Sequence, residues 1–546
     1  MTKKRKIFGV VFAIMLILTV VGCSKDKSIE NTAKETVATA NTVSAKTESE
    51  ATNKEKPRTY SMFLRSQFIT WLRDLKWYDV AEERTGIHVD YVEGPLETKD
   101  TFNEVDQRIA SRTLPDATML RLAQAKVYGM QGAFADLKPY IAKYAPHIQS
   151  YIEANPSYKA LITADDGGIY AMIRESPVIA DFIGYRADHF REAGIDPASI
   201  KTVDDLTDAM RILKAHFGAN NPNYYPFSGR QHAAPRFAYL FDAASYADEN
   251  GSGGVYYSYE KDYSFNIKAD GAYDWIQTMK TWYDEGLINP SWVDGTNTEG
   301  DWESQMLSGN ASLFLDFYNR ADWFMLNGGP DNDADFDMQV LDWLVDEDGN
   351  ILKQSPALLW KSNNAIAINA TCKEETIATI LEFIDYFYSE EGMILANWGV
   401  EGESFKTNED GTKSYIVDYT TEESKPEGTK KWSFLSDRQT VTKPVDQSAF
   451  YAWNTPLIAE AATRLLVPEA LLDRPVLVYS TKQEQRLSNL VAVVFDAENA
   501  AITSFIVGNT PLNENTWNSF IKQMDSLGLA EIEQIQAEAY KETFGL

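Results

Sequence analysis

The residues best placed to do chemistry are aromatic. The chain carries 13 Trp, 28 Tyr and 26 Phe in 546 residues. Several stand beside hydrogen-bonding side chains instead of inside apolar runs: Asp301-Trp302, Tyr318-Asn319-Arg320, Asp322-Trp323, Asn397-Trp398-Gly399 and Trp453-Asn454. A pyranose has an apolar face of C–H groups that stacks on an indole or phenol ring, and a rim of hydroxyls that need Asp, Asn, Gln or Arg partners. A cleft offering both discriminates, because a mismatched solute leaves buried polar groups unpaired. Taken singly, each aromatic reads as core or surface. Together they point to a polar organic ligand.

Covalent chemistry has no comparable signature. Two cysteines, Cys23 and Cys372, exclude a disulfide framework or a Cys-based zinc site, and five histidines without H-x-x-x-H spacing disfavour a His-rich metal centre. The sequence lacks G-x-G-x-x-G after its first strand, G-x-x-x-x-G-K-[ST] and G-x-S-x-G. Acidic pairs such as Asp165-Asp166, Asp204-Asp205 and Glu390-Glu391 follow from an acidic composition, and a glycosidase would need two carboxylates facing each other. Asp331, Asp333, Asp335 and Asp337 alternate as calcium ligands do. They lack the central Gly and terminal Glu of an EF-type loop, so a solvated acidic loop is expected. No catalytic residue, cofactor or metal is expected.

Charge and composition narrow the partners. Lys+Arg 51 against Asp+Glu 80 give a net charge of −29, which makes nucleic acid and anionic membrane surfaces poor electrostatic partners. A 44% hydrophobic content supports a large core in one large or two medium domains. Residues Lys3 to Lys6, an apolar run from Ile7 to Val21 and then Gly22-Cys23 form a secretory signal over residues 1–22. The run is shorter than the roughly 20 residues that span a bilayer. Val20-Val21-Gly22-Cys23 resembles a bacterial lipobox, which implies cleavage before Cys23 and lipid on its thiol; the alternative is an ordinary signal with an incidental cysteine. Residues 23–58 have no aromatic residue after Cys23 and read as a disordered tether of about 30 Å root-mean-square span. The folded body is expected from Thr59.

The elements that must position the aromatics can be read in outline. Tyr60 to Leu64 reads as a strand, Trp71 to Arg84 as a helix stopped at Thr85-Gly86, and Ile87 to Val92 as a second strand. Thr101 to Ser111 is helical and Leu114 to Leu120 a third strand, a β-α-β-α-β opening that predicts an α/β fold with a largely parallel sheet. Thr202 with Asp205 approximates a capping box, with Gly218 closing that helix. Ala365 to Ile368 reads as a buried strand and Glu374 to Tyr388 as an amphipathic helix, while residues 345–350 and 408–411 look like hairpin turns. The 240s to 320s give no clear pattern, and no fixed-period repeat is present.

Several stretches carry a family resemblance: Glu83 to Val89, Ile109 to Asp116, Gly132 to Ile141 with Tyr144-Ala145-Pro146, Gly167 to Met172, Ile183 to Asp188, and Ala193 to Ile195. Ser389 to Gly392 leading to Trp398 to Gly402, and Phe505 to Gly508 before Trp517, complete the set. In order and spacing the chain resembles the extracellular solute-binding proteins of the group that includes maltose-binding protein, the receptors of ATP-driven sugar importers, from about Tyr60 to Phe544. The resemblance implies an α/β, two-lobed periplasmic-binding-protein-like fold of type II. Its sheets would be mixed and mostly parallel, with residues 59–180 and 345–399 in one lobe and 181–344 and 400–546 in the other. It implies a sugar or oligosaccharide ligand held by Gln67, Phe68, Arg121, Gln124, Asp316, Tyr318 and Trp323, and delivery to ABC permease subunits. A monomer on the outer face of the cell membrane, anchored through lipidated Cys23 and not an enzyme, is the corresponding expectation. Relatives often place an aromatic where Leu120 or Arg121 stands, and Glu401 reads as a turn residue. A surface enzyme that cleaves glycans, and a binder of peptides or other solutes on the same scaffold, are the alternatives.

Overall fold

The structure, a computed structural model, describes residues 58–66, 69, 76–175, 181–230, 234–244, 256–258, 263–317, 319–352, 355–356, 360–416, 442–452, 454–467, 471–472 and 477–544. The expected signal over residues 1–22, Cys23, the expected tether up to residue 57, Gln67, Phe68, Tyr318 and Trp453 lie outside the described residues, while Arg58, the last residue of the expected tether, already begins β1.

Two sheets organise the body. Their strands are β1 (Arg58–Arg65), β2 (Ile87–Gly94), β3 (Ala117–Leu120), β4 (Ala171–Glu175), β5 (Asp181–Arg186), β6 (Leu313–Phe317), β7 (Met338–Val340) and β8 (Trp360–Ile368). The first sheet runs β2-β1-β3-β8-β4 and the second β6-β5-β7. β1 is parallel to β2 and β3, whereas β8 returns antiparallel between β3 and β4. In the second sheet β5 pairs antiparallel with both neighbours. Gly184 sits mid-strand in β5 because a Cβ there would lie 2.2 Å from Cζ of Phe314 on β6.

The helices used below are α1 (Lys76–Thr85), α2 (Thr98–Ser111), α3 (Leu122–Met130), α4 (Val203–Phe217), α5 (Ala272–Asp284), α6 (Glu299–Leu307), α7 (Arg320–Leu326), α8 (Glu374–Tyr386), α9 (Thr481–Ile506), α10 (Glu514–Leu527) and α11 (Leu529–Phe544). α1 stops where expected, with Gly86 at φ 65°. The Thr202 and Asp205 capping box starts α4. β3 begins at Ala117 instead of Leu114, because Asp116 spends its carboxylate on β1, accepting from Ser61 N at 2.8 Å and Ser61 Oγ at 2.7 Å. The 408–411 turn joins two paired strands, Phe405–Thr407 and Lys413–Tyr415. Residues 345–350 are closed by a Val345 to Ile351 bridge.

Burial gathers around each sheet separately. One cluster joins Phe63, Leu64, Met119 and Ile173 with Ile366, Ile380 and Leu381. A second joins Ile183, Leu213, Trp275, Trp282 and Leu315 with Val494, Phe505 and Ile532. A third packs Phe182, Trp302, Phe314 and Phe324 under Ile458 and Ala462.

The longest helix touches both ends of this arrangement. α9 has 26 residues, about 39 Å at the usual rise. Its first turn meets elements beside the first sheet: Thr481 N donates to Asp165, in a turn, at 3.0 Å, and Glu484 lies 3.8 Å from Lys126 of α3. Further along, Leu490, Val494, Ile502 and Phe505 enter the second cluster beside α5, α10 and α11. By length and composition α9 could cross a membrane, yet Leu490, Val494, Ile502 and Phe505 are used in this packing.

Candidate functional site

Strand direction places the chemistry. β1, β3 and β4 all leave the first sheet at one edge, which therefore carries Arg65, Arg121, Arg174 and Glu175. β5 enters the second sheet at Asp181, paired with Phe317 at the end of β6. Six peptide steps separate Glu175 from Asp181, so the two edges stand no more than about 20 Å apart.

On the second sheet's side, arginines and rings alternate. The Arg236 and Arg230 guanidinium carbons each lie 4.9 Å from the Phe317 ring centroid. Arg230 is also 5.8 Å from Trp302, Arg320 is 5.2 Å from the same indole, and Arg320 reaches Trp323 at 5.3 Å. Carboxylates hold the edges of these cations. Arg230 forks onto Asp316 at 2.7 and 2.6 Å, and Arg236 donates to Asp181 at 3.0 Å. Arg320 donates to Glu303 at 3.1 Å and to Glu299, with Asp316 3.8 Å away. Burial raises the Glu303 carboxyl above its ordinary range, opposed by the Arg320 charge.

The first sheet's edge is built differently. Arg121 starts α3 and stacks on Phe102 of α2 at 4.3 Å; burial pulls its guanidinium down while the Asp106 charge opposes this. Gln124 donates to Asp106 at 2.9 Å and to the Phe102 carbonyl at 3.3 Å. Glu175 accepts from Val445 N at 2.5 Å and Tyr151 at 3.3 Å, and burial raises its carboxyl. Behind it Lys443 is buried and donates to Asn397 at 2.8 Å; burial pushes its ammonium down to about 7.

Of the residues expected to bind ligand, Asp316 and Trp323 share the arginine-lined edge, while Arg121 and Gln124 stand at the first sheet's edge. Gln67, Phe68 and Tyr318 lie outside the described residues. Several polar neighbours of aromatics turn out to serve the fold. Asp301 caps α6 with Thr298, Asp322 holds Thr455 at 2.8 Å, and Trp398 donates to Asp446 at 2.6 Å inside a small cluster with Phe405. Trp302 is fully buried beneath the arginines. The Asp331 to Asp337 loop pairs with arginines, Asp333 with Arg186 at 3.0 Å and Asp337 with Arg191 at 2.7 Å; among the described residues no group of three or more His, Cys, Asp or Glu could hold a metal. Sequence reasoning missed Arg230, Arg236, Asp181 and Glu303, which follow no periodic pattern. Only Arg320, beside Tyr318 and Asn319, was singled out.

A groove of ≈ 840 Å³ runs along α6, with Trp323 and Glu303 in its wall and Arg186 and His189 at its far end. That end lies beyond the exit of β5, opposite Asp181, while Trp323 and Glu303 join the groove to the arginine-lined edge. His189 donates to or accepts from Ser312 at 2.7 Å, and burial pulls its imidazole down to about 4.

With this geometry in view, comparison decides the kinship. The family model for bacterial extracellular solute-binding proteins matches residues 71–394. The chain belongs to this family. FusA, the fructooligosaccharide ABC transporter substrate-binding protein of Streptococcus pneumoniae serotype 4, is 24% identical over 346 residues, 60% of each chain. The alignment thus spans less than two thirds of that relative. Among solved structures, the alginate-binding protein AlgQ2 without calcium ion matches with a TM-score of 0.67 at 18% identity, covering 89% of this chain and 98% of its own. The FusA complex with kestose gives 0.65 at 17%, covering 89% and 100%. An HMO-binding solute-binding protein from Bifidobacterium longum infantis gives 0.65 at 15%, covering 89% and 98%. These likenesses establish the fold of this solute-binding protein as the mixed α/β, periplasmic-binding-protein type that the sequence resemblance implied. The family places it at the extracellular or periplasmic face.

Proposed function

We propose that this chain is the substrate-binding lipoprotein of an ABC importer, capturing a sugar or oligosaccharide between two lobes and handing it to membrane permease subunits. The observation that carries the reading is the alternating stack of arginines and rings at Phe317, standing where the chain crosses from one sheet to the other. Of these rings Trp323, half-buried beside Arg320, offers a sugar a stacking face, and the nearby carboxylates offer its hydroxyls acceptors. The relationship to FusA, named for fructooligosaccharides, supports the ligand class.

In this reading residues 59–180 with 345–399 and 181–344 with 400–546 are lobes that close by a hinge, and ligand binding shifts the population toward the closed form. The separate hydrophobic clusters around the two sheets support it. Gln67, Phe68, Arg121, Gln124, Asp316, Tyr318 and Trp323 contribute to the cleft. Cys23 carries lipid that keeps a monomer near its permease, on the outer face of the cell membrane. The chain performs no covalent chemistry, as befits a relative of transporter binding proteins.

Titration of the folded body with a panel of saccharides, followed by tryptophan fluorescence and melting temperature, tests the reading. At least one glycan should shift both, since a ligand bound only by the native state raises stability by mass action. Silence across the panel, or steady release of cleaved product, overturns it. For the anchor, Cys23→Ser should release the protein into the medium, and retention at the membrane would sink that part.

A further inference from the structure

We infer that the groove along α6 is a saccharide subsite continuing from the arginine-lined edge, with His189 as the hydrogen-bond donor at its far end. This rests on the sugar-binding reading and deepens it, because a chain that fills the groove must be a long one. Of the residues expected to bind ligand, only Trp323 lines the groove.

The groove has the size and the walls of a ligand site. Its ≈ 840 Å³ falls within the roughly 300–1,000 Å³ of small-molecule sites, and α6 runs for nine residues, about 13 Å at the usual rise. At the near end Trp323 is half-buried, and Glu303 gives Oε1 to Arg320 at 3.1 Å while Oε2 keeps its lone pairs. Ser304 and Ser308 stand exposed along the wall. The far end is closed by Arg186, whose guanidinium is spent on Asp188, Asp333 and the Met306 carbonyl.

His189 supplies the second observation. It is only 7% exposed, yet it lines the groove, and its ring is held against Phe217 with centroids 4.4 Å apart. Its Nδ1 meets Ser312 Oγ at 2.7 Å, and Ser312 Oγ meets the Tyr224 hydroxyl at 2.5 Å. Tyr224 is wholly buried, and among the described residues its O–H has Ser312 as its acceptor. Tyr224 therefore donates to Ser312, Ser312 donates to Nδ1, and the imidazole proton sits on Nε2. The reverse order would strand the phenol proton in the interior. Burial keeps the ring neutral at pH 7. The Nε2–H stands beside Gly309, where a Cβ would lie 3.5 Å from it, and has no acceptor among the described residues. A fixed donor at the closed end of a groove selects a ligand that brings an oxygen to it. An indole face, a carboxylate oxygen, serine hydroxyls and this donor together suit the C–H face and hydroxyl rim of a sugar chain.

The test is calorimetric titration of the full chain, held in mild detergent, with fructooligosaccharides, maltooligosaccharides and xylooligosaccharides from disaccharide to octasaccharide. In the series that binds, the longest member should bind at least about tenfold more tightly than the shortest. Ser304→Trp, which fills the groove from an exposed position, should bring that ratio down to about one, with melting temperature reporting that the variant is folded. A longest member bound no better than the shortest, or a ratio that survives Ser304→Trp, overturns the inference and leaves sugar capture standing. Absence of binding by every member sinks both. A second arm reads the five histidines by nitrogen-15 NMR, with His189→Gln assigning the signal. His189 should show the Nε2–H form, and its Nε2 resonance should move when the octasaccharide binds; an Nδ1–H form, or a resonance that stays still at saturation, overturns the role given to His189.

Discussion

Arg230 and Asp316 form a fully made fork: Nε reaches Oδ2 at 2.7 Å and Nη2 reaches Oδ1 at 2.6 Å, with the carboxylate shut away from solvent. Asp316 Oδ1 also accepts from Phe317 N at 2.6 Å, so the pair fixes the end of β6 as well as the stack above it. Asp316→Asn should lower the unfolding free energy by about 2–4 kcal/mol, because a buried guanidinium loses its charge partner. Replacing both partners, Arg230→Met with Asp316→Leu, should cost less than the single change. Urea unfolding of the parent and the two variants checks this, and a double variant no more stable than Asp316→Asn would refute it.

Trp323 and Trp302 flank the same cation yet differ in exposure, so their loss should be felt differently. Trp302 is fully buried among Phe314 and Phe324, and Trp302→Ala should cost about 3–5 kcal/mol of stability. Trp323 is half-buried at the edge of α7; Trp323→Ala should leave melting nearly unchanged while weakening glycan binding about tenfold. Parallel melting and titration curves would separate the two.

Lys443 sets a pH dependence. Its folded value of about 7 lies below the ordinary 10.5, burial being the main cause, with Glu175 and Asp446 opposing and Arg174 adding to it. The unfolded chain therefore binds more protons between these values, and stability should rise as pH climbs from about 7 toward 10. Lys443→Met should flatten that rise. Asp322 gives the opposite slope in acid: burial raises its carboxyl from 3.8 to about 6, so stability should fall as pH rises through that window, and Asp322→Asn should remove the fall. Unfolding free energies at fixed temperature across pH 4 to 10 measure both.

Lys126 and Glu484 meet 3.8 Å apart where α3 touches α9. Burial lowers the lysine and raises the glutamate, so desolvation outweighs their mutual attraction. Glu484→Leu alone should destabilise by about 3 kcal/mol, and adding Lys126→Met should restore most of it. A double variant no better than the single one would show that the charges matter less than the packing.

The sequence revealed what periodicity and caps encode. α1, α4 and α8 end or begin near the predicted residues because Gly86, the Thr202 box and the apolar face of Ile377, Ile380 and Ile384 are local signals. The arginine stack was not legible, since Arg230, Arg236 and Arg320 come from three separate segments that only the tertiary fold brings together. Among the aromatic residues with polar neighbours, Trp323 stands half-buried beside Arg320. At Trp302 and Trp398 the same pattern marked core rings, whose neighbours Asp301 and Asn397 serve a helix cap and the buried Lys443. The antiparallel return of β8 into the first sheet also escaped, because strand direction leaves no mark in residue spacing.

The reach of α9 makes it a lever. With Leu490 to Ile506 seated in the second cluster, the projecting arm of about 13 Å back to Thr481 swings its tip by about 2 Å for a tilt of 10° or so. Thr481 and Glu484 sit at that tip, against Asp165 and Lys126. Small rotations too slight to register among the core side chains are thereby magnified into a displacement wide enough to make or break a hydrogen bond.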